Sequence, residues 1–241
     1  MQRYFIEHSD IENHTITINE GDSHHIKNVM RMKIGDVVLC TINKEVTYLA
    51  KIISLDKKVK LQIDSILKSN DQYKVDINIA HGLVSREKTE EVVRRLCELG
   101  VNTYYPILMK KSKYQLSSIK KTRILQIIKE ACEQSQRNSL LEFNNILAFD
   151  ELEKLAKTHQ VCFFANVGAK DSLKDCLIPL QSPKILVVIG PEGGFDNNEQ
   201  QKLRLWGYHE INLGDFIMRT ETAPLYIASV LSFFYGDKDE N

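Results

Sequence analysis

The chain has 241 residues, of which 43% are apolar and 27% are charged, and its formal net charge at pH 7 is zero. This composition is typical of a soluble globular protein and leaves room for one large domain or two smaller ones. Because the net charge is zero, any contact with nucleic acid has to come from a local excess of basic residues.

The first 70 residues are predicted to form a small β-barrel. The segments YFI, TITI, DVVLCTI, VTYLAKIISL and VKLQIDSIL are rich in β-branched residues and recur at roughly ten-residue spacing, which is typical of short strands. One helical segment, SHHIKNVMRM, interrupts them and places Ile26, Val29 and Met30 on one face. Its histidines, His24 and His25, have no other metal ligands beside them, so we expect no metal there.

Strands alternate with helices from Tyr73 onward. A polar bridge at residues 69–72 separates this part from the barrel and predicts two domains, 1–70 and 73–241. The predicted strands are VDINIAHGL, VNTYYPIL, QVCFFA and ILVVI, and the predicted helices cover residues 86–99, 117 or 118 to 137, and 150–157. Apolar residues on the inner helix faces are Val92, Val93, Leu96, Leu99, Ile124, Ile127, Ile128 and Ala131. This alternation predicts a mostly parallel sheet with helices on both faces.

One stretch of this second part is strongly basic. No acidic residue lies between Glu98 and Glu130. The basic residues within it are Lys110, Lys111, Lys113, Lys120, Lys121, Arg123 and Lys129, and three tyrosines, Tyr104, Tyr105 and Tyr114, also fall there. Such a pattern favours contact with phosphates, although a charge run is also compatible with an ordinary solvated surface.

Two glycine-marked loops follow strands near the C-terminus. The buried strand at 185–189 ends in Gly190-Pro191-Glu192-Gly193-Gly194, where the backbone can approach a ligand closely. Asp196 and Glu199 then have the spacing of a capping box, at the start of a helix that Gly207 can end. A second strand, 211–213, ends at Gly214, and Thr222 with Pro224 can start a last helix. Ligands bind α/β sheets at such strand ends. The order of residues fits neither a dinucleotide-binding motif nor a P-loop.

The five cysteines indicate a reducing compartment. They are scattered, odd in number and without a C-x-x-C pair: Cys40, Cys97, Cys132, Cys162 and Cys176. This pattern argues against a disulfide framework and against structural zinc. No apolar run approaches membrane-spanning length, and the N-terminus lacks the features of a signal peptide. We therefore expect a cytoplasmic protein with neither a metal nor a membrane segment.

The motif IGPEGGF, followed by LG-x-x-I-x-RTETA, resembles the C-terminal signature of the SPOUT methyltransferases. Within them, the chain is similar to the bacterial family that methylates N3 of a uridine in 16S ribosomal RNA. The segments CELGV and EACEQSQR, Arg3, and the pattern from His24 through Arg31 to Gly35-Asp36 extend the resemblance over nearly the whole chain. The resemblance implies a PUA-like barrel, then a mostly parallel α/β domain with a C-terminal trefoil knot that holds S-adenosylmethionine (SAM).

The resemblance also implies roles for individual residues. The SAM-binding set is Gly190, Pro191, Glu192, Gly193, Gly194, Leu213, Gly214, Ile217, Met218, Thr220 and Ala223. Arg219 would stabilise the anion that forms when N3 of uracil loses its proton, or would form a salt bridge to Glu192 or Glu221. Glu221 would be the base or would cap the last helix. Arg3 and Arg31 match the family's N-terminal pattern and would bind RNA, or would be ordinary surface ion-pair formers. The basic stretch adds Lys110, Lys111, Lys113 and Arg123 to the RNA-binding set, and Gln134 and Arg137, predicted to lie on one helical face, complete it.

The expected partners are ribosomal RNA, or the small ribosomal subunit, and a second copy of the chain. The last helix is apolar on more than one face, which suits the interface of a homodimer. Two departures from the family pattern concern RNA contact: Asn138-Ser139-Leu140 lacks a usual proline, and Arg94-Arg95 replaces an expected lysine. Three alternatives remain open, namely an RNA-binding protein without catalysis, a SPOUT methyltransferase that acts on another RNA, and a nucleotide-dependent oxidoreductase.

Overall fold

The computed structural model describes residues 1–67, 74–114 and 120–236. The chain forms two compact units, Met1–Gln72 with Cys132–Leu140, and Tyr73–Ala131 with Leu141–Asn241. The predicted polar bridge at 69–72 and the predicted helix start at Ser117 or Ser118 lie outside the described residues. Within the described ranges, no helix is long and apolar enough to cross a membrane.

The first unit is built on a six-stranded sheet. Its strands are β1 (Arg3–Ile6), β2 (Ile11–Glu12), β3 (Thr15–Thr17), β4 (Val37–Ile42), β5 (Val46–Ser54) and β6 (Lys60–Leu67). Their order is β1-β4-β5-β6-β3-β2, and all pairs are antiparallel except β1 with β4. Successive side chains of a strand face opposite sides of a sheet, so alternate apolar residues collect in one core. This core includes Tyr4, Ile16, Ile18, Val38, Cys40, Ala50, Ile52 and Leu61.

The helical segment of the first unit is less regular than predicted. Helix α1 (Glu20–His24) begins after Asn19, whose side chain accepts a hydrogen bond from the backbone of Asp22, and continues into a π-helical turn, His25–Val29. The wider turn changes the phase of the side chains. Ile26 is fully buried, whereas Val29 and Met30 are 59% and 44% exposed. The prediction that these three residues share one buried face is therefore wrong.

Residues 132–140 belong to the first unit although they are distant from it in sequence. The Glu133 carboxylate accepts a hydrogen bond of 2.9 Å from the backbone of Phe5 in β1. In the turn between β4 and β5, the backbone N–H of Lys44 donates to Asn138 O at 3.2 Å, and Asn43 Oδ1 accepts from the backbone of Leu140 at 2.9 Å. These bonds fix the segment to β1 and to that turn.

The described residues of the second unit form a parallel sheet and six α-helices. Its strands are β7 (Asp76–Gly82), β8 (Thr103–Leu108), β9 (Glu142–Phe143), β10 (Leu147–Ala148), β11 (Val161–Ala165), β12 (Lys184–Ile189) and β13 (His209–Ile211). Its helices are α2 (Arg86–Glu98), α3 (Lys121–Gln134), α4 (Leu152–Ala156), α5 (Leu173–Cys176), α6 (Asn197–Leu205) and α7 (Ala223–Gly236). The strand order is β10-β8-β7-β12-β11-β13, with β9 beside β8, and every pair is parallel.

Burial follows the sequence pattern closely in this unit. Strand β12 lies between β7 and β11, and its residues from Ile185 to Ile189 are buried, as expected for a continuous apolar strand. The inner faces of α2 and α3 are buried as predicted, apart from Leu99, which is half-buried. Helix α6 begins with the predicted capping box: the backbone N–H of Asp196 donates to Glu199 Oε2 at 2.8 Å.

Helix α3 ends at Gln134, three residues before the predicted end. The cause is Gln136, which adopts the left-handed conformation with φ +60°. The N–H of Arg137 bonds to Cys132 O at 2.9 Å, and the N–H of Gln136 bonds to Glu133 O at 3.2 Å. This pair of bonds is the Schellman motif, here with glutamine in the position that glycine usually takes.

Strand β13 lies two residues before its predicted position. His209–Ile211 pair with Phe163–Ala165 of β11, whereas we predicted a strand at 211–213. Gly207, with φ +87°, ends α6 early enough for the chain to enter the sheet at once. Asn212 and Leu213 therefore fall in the loop that follows the strand, beside the candidate site.

Candidate active site

A pocket of about 540 Å³ opens where β11, β12 and β13 end. The loops after these strands form its walls, as expected at the carboxyl ends of parallel strands. Ten of the eleven residues in the predicted SAM-binding set line it: Gly190, Pro191, Glu192, Gly194, Leu213, Gly214, Ile217, Met218, Thr220 and Ala223. The eleventh, Gly193, packs against Lys111. The two residues are so close that a Cβ on Gly193 would lie 3.0 Å from Lys111 Cβ.

Two glycines of the pocket have backbone angles that other residues rarely adopt. Gly194 has φ +66° and Gly214 has φ +114°. A Cβ on either residue would meet no protein atom within 4 Å, so glycine is required by the backbone angle and not by lack of space. Gly82 at the end of β7 shows the opposite case: its Cβ would lie 2.5 Å from the backbone nitrogen of Pro191. The end of β7 therefore lies directly against the first glycine loop.

A buried chain of hydrogen bonds links both glycine loops to the sheet. Thr220 Oγ1 donates to the carbonyl of Gly190 at 2.7 Å, and His81 Nε2 lies 2.8 Å from the same Oγ1. His81 Nδ1 lies 2.9 Å from the hydroxyl of Tyr104. Since the threonine hydrogen is used on Gly190, His81 Nε2 must donate to Thr220. Because full burial disfavours the charged imidazolium and lowers the pKa of His81, Nδ1 carries no proton and accepts from Tyr104. His81 is therefore neutral, with its proton on Nε2.

The pKa values agree with this order of protons. Burial lowers the pKa of His81 to about 4, since water no longer solvates the imidazolium. Burial also raises the pKa of the Tyr104 hydroxyl well above its ordinary value. Both groups therefore stay neutral across the whole range near pH 7, and the hydrogen-bonded chain keeps one arrangement there.

Lys88, on α2, pairs with two carboxylates at the edge of the pocket. Its Nζ lies 2.5 Å from Glu192 Oε1 and 3.2 Å from Glu221 Oε2. The hydrogen bond from Lys88 holds the pKa of Glu192 below its usual value, and the same bond raises the pKa of Lys88. Lys88 thus links Glu192 in the first glycine loop to Glu221 in the loop before α7.

Arg219 lines the same pocket and is exposed. Within the described part of the chain, its guanidinium forms no ion pair with Glu192, Glu221 or any other acid. The salt-bridge alternative for Arg219 is therefore not the arrangement found here, because Lys88 takes both carboxylates. Glu221 is the second carboxylate of this ion pair with Lys88.

The loop after β11 forms a third wall that sequence reasoning missed. Ala165, Asn166 and Val167 line the pocket. Asn166 Nδ2 donates to Glu210 Oε1 at 2.6 Å and to Gln200 Oε1 at 3.3 Å, which holds its amide in place. No glycine directly follows β11, so a search for glycines at strand ends does not identify this loop. Lys88 and His81 were missed because only the fold brings them to the pocket.

Comparison with known proteins identifies the family. The model of an RNA methyltransferase domain matches residues 71–232, and the model of the RNA methyltransferase PUA domain matches residues 18–64. The ribosomal RNA small subunit methyltransferase E of Bacillus subtilis (strain 168) is 33% identical over 97% of this chain and 96% of its own length. The protein of that name from Aquifex aeolicus is 30% identical over 91% and 94%. The chain belongs to the ribosomal RNA small subunit methyltransferase E family.

Solved structures agree with this family and with the predicted fold. A candidate methyltransferase from Legionella pneumophila, solved with the cofactor SAM bound, is 26% identical, with a TM-score of 0.84 over 96% of this chain and 97% of that one. The ribosomal RNA small subunit methyltransferase E of Neisseria gonorrhoeae has the same fold, with a TM-score of 0.85 at 22% identity over 98% of both chains. An N-terminal PUA-like domain followed by a parallel α/β domain is thus confirmed.

The predicted RNA-binding lysines of this family member already have partners inside the second unit. Lys110 Nζ lies 3.0 Å from Asp196 Oδ2, and Lys113 Nζ lies 3.7 Å from Glu192 Oε2. Lys111 Nζ donates to the carbonyl of Phe195 at 2.9 Å. Arg123 Nε lies 3.7 Å from Glu90 Oε2. The ion pairs of Lys110 and Lys113 are solvent-exposed and therefore weak, so a phosphate can replace them.

The predicted RNA-binding residues of the first unit fall into two groups. Arg3 is buried, where it donates to Thr41 Oγ1 at 2.8 Å and to the side chain of Asn138. Arg137 is also buried, whereas Gln134 at the end of α3 is exposed, so these two do not share one helical face. Arg31 is exposed and has φ +52°, which turns the chain sharply after α1. Arg31 and Gln134 are therefore the accessible members of this set.

The fold brings three groups of metal-binding type together at the edge strand β13. Asp171, Cys176 and His209 each place one donor atom within 4.8 Å of the other two. His209 Nε2 lies 3.0 Å from Asp171 Oδ2, and both side chains are largely exposed. A surface ion pair accounts for this approach, so we assign no ion there, and the absence of a metal from the protein stays a prediction.

Proposed function

We propose that this protein transfers the methyl group of SAM to N3 of a uridine in 16S ribosomal RNA. The observation that carries the proposal is the pocket at the ends of β11, β12 and β13. Both glycine loops meet there with Arg219, which forms no ion pair with any residue that the structure describes, in a chain of the ribosomal RNA small subunit methyltransferase E family. The division into a PUA-like domain, 1–70, and a methyltransferase domain, 73–241, with a trefoil knot, is part of the same proposal.

The pocket has the size and the chemistry that SAM requires. Its volume lies in the usual range for small-molecule sites. Leu213, Ile217 and Met218 offer apolar contact for an adenine ring, and the glycine loops expose backbone donors and acceptors. Glu192 and Glu221 put negative charge beside a cofactor that carries a sulfonium and an ammonium group. The similar Legionella protein holds SAM, which supports the same cofactor here.

Bound SAM supplies an activated methyl group, so the protein has to position the uracil and to favour the loss of its N3 proton. Arg219 is free to place positive charge beside the carbonyl oxygens that share the resulting negative charge. Glu221 lines the same pocket two residues further on and is our candidate for the group that accepts the proton. Lys88 forms ion pairs with Glu192 and Glu221 and offsets only one of their two negative charges.

RNA binding in this proposal rests on exposed basic residues of both units. Lys110, Lys113 and Arg123 in the second unit and Arg31 in the first are accessible enough to contact phosphates. Lys111 is exposed as well, although its Nζ already donates to Phe195 O. Arg3 and Arg137 are buried, so their effect on RNA binding is indirect. The family's PUA model over residues 18–64 supports a role of the first unit in holding RNA.

We also propose a cytoplasmic homodimer. Helix α7 buries Ile227, Ala228 and Leu231 within its own unit but leaves Phe233 80% exposed and Tyr226 partly exposed. The pocket loop adds Phe216 and Ile217, exposed by 86% and 78%. Exposed apolar residues on neighbouring segments are typical of surfaces that bind a partner.

The test is methyl transfer from labelled SAM to 16S RNA and to assembled small subunits, both taken from cells that lack this protein. We expect label in one of these substrates and N3-methyluridine on nucleoside analysis. Binding of SAM and RNA without transfer would favour the non-catalytic RNA-binding alternative. Label in another RNA would favour a different substrate. Binding of NAD in place of SAM would favour the oxidoreductase alternative.

A further inference from the structure

His81 is a fully buried titratable residue for which the proposed chemistry has no use. It lies on β7, one residue before Gly82, whose backbone packs against Pro191 in the first glycine loop. A buried histidine loses solvation and rotamer freedom, so its polar atoms have to be satisfied by specific partners. Both ring nitrogens have such partners, Tyr104 on β8 and Thr220 in the pocket loop.

The three hydrogen bonds that join Tyr104, His81, Thr220 and Gly190 all have the same donor-to-acceptor direction. Tyr104 donates to His81, His81 donates to Thr220, and Thr220 donates to the carbonyl of Gly190. A carbonyl can only accept, so it fixes the direction of the bonds from Thr220 and from His81, and the neutral imidazole then accepts from Tyr104. A side chain at position 81 must therefore donate at one end, accept at the other and stay neutral.

Thr220 lies in a tight turn that leads into α7. The backbone N–H groups of Thr222 and Ala223 both donate to the carbonyl of Arg219, at 2.9 and 3.0 Å. These bonds join residues 219–223 in one turn, and Thr220 is buried within it. Arg219 and Glu221, its neighbours on either side, are the two residues assigned to the chemistry.

We propose that His81 is a positioning residue for methyl transfer, which holds Thr220, and with it Arg219 and Glu221, against the carbonyl of Gly190. The role rests on the proposed function, since it concerns the same pocket. His81 itself reaches neither cofactor nor uracil, because it is fully buried beneath the loop. It acts by holding the second glycine-marked loop in a fixed position against the first.

The test compares His81→Phe, which fills the space without hydrogen bonds, with His81→Gln, whose amide can donate and accept and carries no charge. His159→Phe is the matched control, because His159 is also a buried histidine of the second unit but bonds to Leu155 O, away from the pocket. Turnover, SAM affinity and the hydrogen exchange of the Thr222 and Ala223 amides are measured well below each variant's unfolding temperature.

We expect His81→Phe to lower turnover by roughly a hundredfold, the scale for misplacing reacting groups by about 1 Å, with a smaller loss of SAM affinity. Its Thr222 and Ala223 amides should exchange faster, His81→Gln should restore most of the turnover, and His159→Phe should change neither. Normal turnover in folded His81→Phe, or equal losses in His81→Gln and His81→Phe, would overturn the proposal. A wild-type protein that methylates no RNA would instead overturn the proposed function, while unchanged amide exchange in His81→Phe would still overturn this one.

Discussion

Among the single residues of the pocket, Arg219 has no ion pair to lose within the described part of the chain. We therefore expect Arg219→Ala to leave the free energy of unfolding within about 0.5 kcal/mol of wild type, as for most exposed sites. Turnover should fall roughly a hundredfold or more, the scale for removing one group that stabilises developing charge. SAM affinity, measured by calorimetry, should stay within about tenfold. Equal losses of affinity and turnover would make Arg219 a cofactor-binding residue.

Gly194 tests the first glycine loop, and Gly207 offers a matched control. Both have left-handed backbone angles, φ +66° and φ +87°, and a Cβ on either meets no protein atom within 4 Å. Valine at either position should therefore cost about 1–2 kcal/mol of stability. Since Gly194 lines the pocket and Gly207 does not, only Gly194→Val should abolish SAM binding. Near-normal SAM affinity in folded Gly194→Val would remove this loop from the site.

His81 makes stability depend on pH. Its pKa is about 4 in the folded protein, below the ordinary value of 6.5, so the unfolded chain binds the extra proton first as the pH falls. The contribution of neutral His81 to the free energy of unfolding should thus be fully present above pH 6.5. It should fall by at most about 3 kcal/mol as the pH drops to about 4. Urea unfolding at several pH values measures this. The slope should be smaller in His81→Gln, and an equal slope in both proteins would contradict the low pKa.

At the scale of helices, strands and loops, a test of RNA binding by the basic stretch between Glu98 and Glu130 follows. Lys110→Ala with Lys113→Ala should weaken RNA binding and lower the slope of log binding constant against log salt by up to about one unit per lost phosphate contact. Lys157→Ala is the control, because Lys157 is 71% exposed, as Lys113 is, and also has an acidic partner, Glu153. SAM affinity should not change. Parallel salt dependences in all three proteins would mean that the stretch is only a solvated surface.

Local signals predicted the elements well where the local sequence decides the structure. The capping box of Asp196 and Glu199, the inner face of α2 and the apolar run of β12 all formed as expected, because each depends on neighbours within a few residues. The same signals missed the π turn after α1 and placed β13 two residues late. The position of β13 depends on Gly207 and on pairing with β11, a distant segment, which periodicity does not describe.

The candidate site shows the same limit. Glycines and the RTET run located two walls of the pocket, since strand ends and glycine are visible in a sequence. His81, Lys88 and Asn166 could not be found, because their functional neighbours lie between 34 and 139 residues away. The burial of Arg3 could not be predicted for a related reason: nothing in the sequence shows that Asn138 and Thr41 meet its guanidinium.

At the scale of the whole molecule, the exposed aromatic residue of α7 gives a test of the homodimer. Phe233 is 80% exposed, and Phe233→Glu should shift the protein from dimer to monomer in sedimentation or light scattering, because a charge would be buried at the interface. Leu205→Glu is the control, since Leu205 is 84% exposed on α6 and lies outside α7 and the pocket loop. A wild-type monomer, or a dimer that Phe233→Glu leaves intact, would contradict the proposed interface.

The return of residues 132–140 to the first unit has a consequence for how the chain is made. A fragment that stops at residue 72 lacks the Glu133 carboxylate that accepts from Phe5 and the Asn138 side chain that meets buried Arg3. During synthesis the N-terminal unit therefore stays incomplete until residue 140 has left the ribosome, by which time α2 and α3 have also emerged. The first unit can therefore complete its own folding only after part of the second unit has been made.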